Sequence, residues 1–227
     1  MAARQSHRMN VRLQGIGMTS PRTRERMVGR LRELGIRHPR VLTAMRSIPR
    51  HIFVEEAFAS RAYEDMALPI GFGQTISRPY TVARMTELLL EDGPLRRVLE
   101  VGTGSGYQTA VLAQLVGTVY SVERVHALQE RAIRSLADLN LRNVRLKHGD
   151  GHLGWRESGP FDGIIVTAAP PRLPAALLDQ LNPGGVLVAP IGVGRQQTLE
   201  RIMRTDAGYE ARSVEPVVFV PLLAGTV

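Results

Sequence analysis

The chain has no cysteine among its 227 residues. That absence excludes a disulfide scaffold, a zinc–thiolate centre, an iron–sulfur cluster and a cysteine nucleophile. It also fits a reducing compartment, so a cytoplasmic location is expected. Lysine is nearly missing too: Lys147 is the one lysine among 29 basic residues, and the others are arginines. Trp155 is the one tryptophan, and aromatics make up 5% of the chain. They do not interleave with arginines as a base-stacking platform would require. No stretch approaches the ~18 uninterrupted apolar residues of a membrane span. The first 18 residues lack the apolar core and small-residue cleavage site of a secretory signal.

What is present suffices for a sizeable core: 44% of residues are hydrophobic and 22% charged. The length suits one large α/β domain with or without an appendage. The net charge is +8 and the sequence pI about 10.8, and a pI above ~9 is the usual footprint of a nucleic-acid binder. The charge is unevenly spread, however. Residues 1–50 hold twelve arginines against Glu25 and Glu33, a local balance of +10. The remaining residues hold 17 basic and 19 acidic side chains, a balance of −2. Residues 1–18 read as a basic, unstructured extension.

Residues 19–78 read as a helical N-terminal segment followed by a long loop. Ser20-Pro21 is a helix-start signal, and that helix should stop at Gly35. Pro39 opens a second helix with Val41, Leu42, Met45 and Ile48 on one face, ended by Pro49. Residues 60–78 lack a clear period and contain Pro69, Gly71 and Gly73, so they read as a functional or mobile loop. Pro79 starts a helix that Gly93 stops. From residue 96 strands and helices alternate. Strands are expected at 98–101, 118–123, 144–148, 163–167 and 185–191. Helices are expected from the glycine loop to Leu115, over 125–139 and over 173–181. Residues 198–204 and 209–213 flank Asp206-Ala207-Gly208 as a hairpin, and 217–220 forms a last strand. The alternation predicts a doubly wound, Rossmann-like α/β fold, mostly parallel with an antiparallel finish.

Glu100-Val101-Gly102-Thr103-Gly104-Ser105-Gly106 follows a strand and opens a helix. Glycines there let the backbone turn tightly and approach a ligand. Taken alone, the loop fits a plain turn or a dinucleotide site, whose usual spacing is G-x-G-x-x-G. Here the spacing is G-x-G-x-G, and Glu100 precedes it. A carboxylate at that point would repel a phosphate and suit an ammonium or sulfonium. Glu123 ends the next strand, where an acid can accept both ribose hydroxyls. Asp150-Gly151 ends the third, where an acid can accept an adenine amino group. Three acids at three consecutive strand ends outline a pocket for a cationic nucleoside, S-adenosyl-L-methionine. His148 and His152 flank Asp150 without an evident third ligand, so no metal site is expected.

Gln74, Thr75 and Ser77 cluster polar groups just before a helix start, where Ser77 could simply cap the helix. Yet Ala67-Leu68-Pro69-Ile70, Gly73-Gln74-Thr75-Ile76-Ser77 and Pro79 closely resemble the hallmark of protein-L-isoaspartate O-methyltransferases. Residues 98–107, Gly149-Asp150-Gly151, 166–170, 183–185 and 219–222 are similar to that family too. The resemblance runs from about residue 19 to 224, and the 67–79 segment is not shared by methyltransferases in general. Arg78 and Arg172 depart from the family pattern, and the basic extension lies outside it.

The resemblance implies a class I S-adenosylmethionine-dependent methyltransferase, one domain over 19–227 with its cofactor-binding core in 79–227. It implies methyl transfer to the α-carboxyl of isoaspartyl residues in damaged peptides and proteins, with S-adenosyl-L-homocysteine as the other product. Ser77 matches the active-site serine. Glu100, Gly102, Thr103, Gly104, Ser105, Gly106, Glu123, Asp150 and Gly151 are the expected cofactor contacts. Thr75, Ile76, Thr167 and Val218 are the expected substrate contacts. A monomer without nucleic-acid or membrane partners is expected. The arginine-rich N-terminus keeps two other readings open: methylation of RNA or another small substrate, and a nucleic-acid-binding module on a degenerate methyltransferase fold.

Overall fold

The computed structural model describes residues 13–227. Two helices lead the chain: α1 (Pro21–Glu33) and α2 (Pro39–Ser47), each with proline in its first turn. Proline suits that place because the first N–H groups of a helix have no intrahelical partner. α1 buries Met27, Val28 and Leu31; α2 buries Val41, Leu42, Ala44 and Met45. The expected extension over 1–18 lies outside the described residues up to residue 12. From residue 13 on, Leu13 packs against the main core, its carbonyl accepts from Arg24 Nη2 at 3.2 Å, and residues 17–19 form a 3-10 turn.

The stretch read as a loop contains a hairpin, β1 (Leu68–Gly71) and β2 (Gln74–Ile76). Its turn runs through Gly71 (φ 87°), Phe72 (φ 54°) and Gly73 (φ 67°), left-handed conformations that glycine adopts without penalty. Two arginines set the hairpin's place. The fully buried Arg50 donates to the carbonyls of Ala62 (2.7 Å) and Met66 (3.4 Å), gathering the approach to β1. Arg131 donates to the Ile70 carbonyl at 3.0 Å, and its guanidinium lies 5.6 Å from the centre of the Phe72 ring.

The rest follows the alternating plan: α3 (Pro79–Leu89), β3 (Arg97–Val101), α4 (Tyr107–Ala113), β4 (Thr118–Glu123), α5 (His126–Asp138), β5 (Val144–His148), β6 (Phe161–Val166), α6 (Ala175–Leu178), β7 (Leu181–Val193), β8 (Gln196–Thr205) and β9 (Gly208–Val217). The sheet order is β5-β4-β3-β6-β7-β8-β9. Pairing is parallel from β5 to β7 and antiparallel across β7-β8 and β8-β9. Val98, Leu99, Ile164 and Ile165 are wholly enclosed, as strands covered on both faces must be. One apolar layer packs α1–α5 on the sheet; a second gathers Leu99, Phe161, Leu177 and Leu187 on the other face.

Three expectations shift. The helix expected over 173–181 is the single turn α6, and Leu181 already pairs with Phe161 as the start of β7. The strand expected over 185–191 is therefore longer at both ends. The last expected strand does not form separately: β9 ends at Val217, and Pro221 makes an isolated parallel bridge with Ala169. Among the described residues no helix is long and apolar enough to cross a membrane.

Candidate active site

β3 is followed in sequence by β4 on one side and paired with β6 on the other, so the winding direction reverses at β3. Open α/β sheets bind ligands in the crevice beyond the strand ends at such a reversal. The glycine loop leaves β3 at that point. Gly102 has φ 98°, and a Cβ there would collide with Thr167 Oγ1, the side chain just beyond β6. Gly104 and Gly106 are also left-handed, and Gly106 opens α4. A cleft lies under the loop. Gly102, Thr103, Gly104, Ser105, Glu123, Gly151 and Thr167 line it, with Ile70, Ile76 and Ser77 from the hairpin side.

Glu123, at the tip of β4, is 5% exposed. Its Oε2 accepts from Gly104 N at 2.7 Å and its Oε1 from Val125 N at 2.8 Å. A carboxylate has about four acceptor positions, so two stay available for a diol. Gly151 is close-packed, since a Cβ there would come within 2.6 Å of Val101 Cγ1. These features fit a nucleoside: a backbone cradle at a helix start beside a ribose acceptor.

Two of the three expected acids do not reach the cleft. Glu100 is fully buried behind the loop, where its Oε2 accepts from Thr109 Oγ1 and Ser121 Oγ, both at 2.5 Å. Burial pushes its carboxyl up to about 8, against the pull of those two hydroxyls. It ties β3 to α4 and β4 beneath the loop and does not line the cleft. Asp150 serves the chain itself. Its Oδ1 accepts from the backbone and ring of His152, and its Oδ2 from Gly225 N at 2.7 Å. Burial alone would raise its carboxyl, but the bonds from Gly225 and His152 outweigh it and hold it below the usual carboxylate range. His148 bonds the Arg124 carbonyl through Nε2 at 3.0 Å, which separates the two histidines chemically.

The resemblance implies that residues 217–222 line the cleft, but sequence reasoning missed the residues after them. Leu222 and Leu223 line the cleft, together with Arg124. Beyond them the chain is tied down: Arg124 Nε donates to the Gly225 carbonyl at 3.2 Å, Val227 N to the Arg124 carbonyl at 2.8 Å, and His126 N to the Val227 carbonyl at 2.8 Å. Nothing in the composition of residues 222–227 announces this.

A second cavity of about 570 Å³ opens beside the cleft. Thr75, Ser77, Thr167 and Val220 line both. Val218, exposed, lies on its wall, whereas Ile76 is buried and faces the first cleft instead. Ser77 does not cap the following helix. Arg78 is the N-cap residue, and Asp65 Oδ1 accepts from Tyr80 N at 2.8 Å in place of a serine cap. Among the described residues the Ser77 hydroxyl has no protein partner, and it stands where the two cavities meet.

Residues 22–226 match the family model described as Protein-L-isoaspartate(D-aspartate) O-methyltransferase. The chain belongs to that family. The protein-L-isoaspartate O-methyltransferase 1 of Marinobacter nauticus is 61% identical over 96% of this chain and 100% of its own. The protein-L-isoaspartate O-methyltransferase of Halorhodospira halophila is 61% identical over 94% of this chain and 97% of its own. A solved protein-L-isoaspartate O-methyltransferase superposes with a TM-score of 0.79 at 30% identity, over 87% of this chain and 65% of that longer one. A second, a Plasmodium falciparum structure titled a putative protein-L-isoaspartate O-methyltransferase in complex with S-adenosyl-L-homocysteine, gives 0.75 at 26% identity over 88% and 98%. The doubly wound fold expected from the strand–helix alternation, and the class I methyltransferase fold that the resemblance implies, are thus the fold of this family.

Proposed function

We propose that this chain transfers a methyl group from S-adenosyl-L-methionine to the α-carboxylate of L-isoaspartyl residues in damaged peptides and proteins. The methyl ester then closes to a succinimide without further help from the protein. The observation that carries this reading is the meeting of a nucleoside-shaped cleft with an open groove at Thr75, Ser77, Thr167 and Val220. None of those four is a general base. The chemistry asks for none, because a carboxylate with a pKa near ~4 is already ionised at neutral pH.

Bound in the cleft, S-adenosyl-L-methionine supplies an activated sulfonium methyl. Glu123 takes the ribose hydroxyls, and the backbone of Gly102–Gly106 lies against the rest of the nucleoside. The unpartnered Ser77 hydroxyl donates to the substrate carboxylate and holds it in line. Ile70, Ile76 and Leu222 exclude water from the junction, so positioning and desolvation carry the rate. The segment 217–220 offers an extended peptide a partner, which tolerates many sequences, as repair requires. Residues 19–227 act as one methyltransferase unit, and the enzyme works as a cytoplasmic monomer.

An isoaspartyl peptide and its normal aspartyl twin, offered with labelled S-adenosyl-L-methionine, test the reading. Label should enter the first alone, and equal or absent labelling would end it.

A further inference from the structure

The groove beyond Ser77 is lined by three charged side chains, Arg78, Arg195 and Glu215. Glu215 is already engaged. Its Oε2 accepts the Tyr80 hydroxyl at 2.9 Å and stands 3.9 Å from Arg84 Nε. Arg78 pairs with Asp65 at 3.0 Å and lies 5.1 Å from the centre of the Tyr80 ring, yet 46% of its side chain stays exposed. Arg195 is exposed in the turn between β7 and β8, and no described carboxylate pairs with it.

That turn is fixed to the groove wall. Gln197 Nε2 donates to the carbonyls of Gly194 at 2.7 Å and Phe219 at 3.0 Å, while Phe219 N donates to Gln197 Oε1 at 2.7 Å. One buried amide therefore clamps both the loop that carries Arg195 and the segment 217–220 along which a peptide would lie. The groove's one acid is engaged, and an exposed arginine on a held turn and a half-exposed one remain.

Resting on the methyl-transfer reading above, we infer that Arg195, assisted by Arg78, makes the groove select isoaspartyl sites flanked by acidic residues. A guanidinium offers a carboxylate two parallel donors, a match that neither amide nor ammonium flanks can make. Asp65 already meets part of the charge of Arg78, so Arg195 carries the larger share. The substrates favoured are the acidic surface segments of damaged proteins.

Three isoaspartyl peptides that differ only in flanking Glu, Gln or Lys test this, with kcat/KM measured at low and high salt. At low ionic strength the Glu-flanked peptide should exceed the Gln-flanked one by about two- to fivefold per charge, chiefly through KM. The Lys-flanked peptide should fall below both. The spread should shrink at ~200 mM salt, where exposed charges more than about 8 Å apart are screened. Arg195→Glu should reverse the order, and Arg195→Gln with Arg78→Gln should bring the three values together. Equal values in the unmodified protein, or an order unmoved by Arg195→Glu, overturn the inference and leave the methyl-transfer reading standing. Methylation of none of the three removes both.

Discussion

Thr167 and Gly102 occupy each other's space. Thr167 Oγ1 lies 3.0 Å from the Val101 carbonyl and 2.7 Å from that of Gly102, and it fills the position a Cβ at residue 102 would need. Two strands that meet at the reversal of the sheet are thereby joined through the glycine loop.

The first prediction tests that junction. Gly102→Ala adds both a collision with Thr167 and a left-handed strain on a residue with a side chain. Strain of this sort costs about 1–3 kcal/mol, so S-adenosyl-L-methionine affinity should fall by about tenfold or more. Adding Thr167→Ala should restore part of the loss, because it removes the collision and leaves the strain. Titration calorimetry on the two single variants and the double gives the coupling. Strict additivity would show that the two residues do not constrain each other.

Ser77 allows a sharper separation of roles. Its hydroxyl has no described protein partner, so Ser77→Ala should leave cofactor binding within about twofold. Loss of a hydrogen bond to a charged group is worth about 1.5–3 kcal/mol, so kcat/KM for the isoaspartyl peptide should drop by about 10- to 100-fold. A collapse of cofactor affinity with unchanged turnover of bound substrate would place Ser77 in the wrong cavity.

A pH signature should come from Glu100. Its carboxyl titrates near 8 in the folded chain and at an ordinary 4.5 when unfolded. Between those values the folded state holds the extra proton. The stabilisation is complete below about pH 4.5 and is lost as pH rises through about 8. The melting temperature should therefore decline from pH 6 to 9, and Glu100→Gln should flatten that decline. An equal slope in the two proteins would assign the decline to other groups.

Much of this was legible in the sequence, for physical reasons. Buried parallel strands need runs that are mostly apolar, so Val98–Val101, apolar but for Glu100, and Ile164–Val166 declared themselves. The left-handed turns at residues 102, 104 and 106 left glycines in view. The β1-β2 hairpin was hidden because its strands are four and three residues long, the first contains Pro69, and Gly71 and Gly73 mark the turn. The direction of an acid at a strand end was hidden for a different reason. Glu100 and Glu123 occupy similar places at the ends of neighbouring strands, and both faces of those strands are covered. Only the fold decides that one points into the cleft and the other into a nest of hydroxyls. The cap from Asp65 to Tyr80 spans fifteen residues, beyond the reach of any local signal.

Leu222 and Leu223 form part of the cleft wall, and the residues after them are tied to Asp150, Arg124 and His126. Because the chain has no cysteine, a thiol introduced at Leu223, which is exposed and lines the cleft, would be unique. A fluorophore attached there would stand at the cleft mouth and serve as an optical gauge of cofactor entry, with no background label to subtract. The same ties warn against fusing an affinity handle after Val227, where it would load the bonds from Val227 to Arg124 and His126 that anchor this wall.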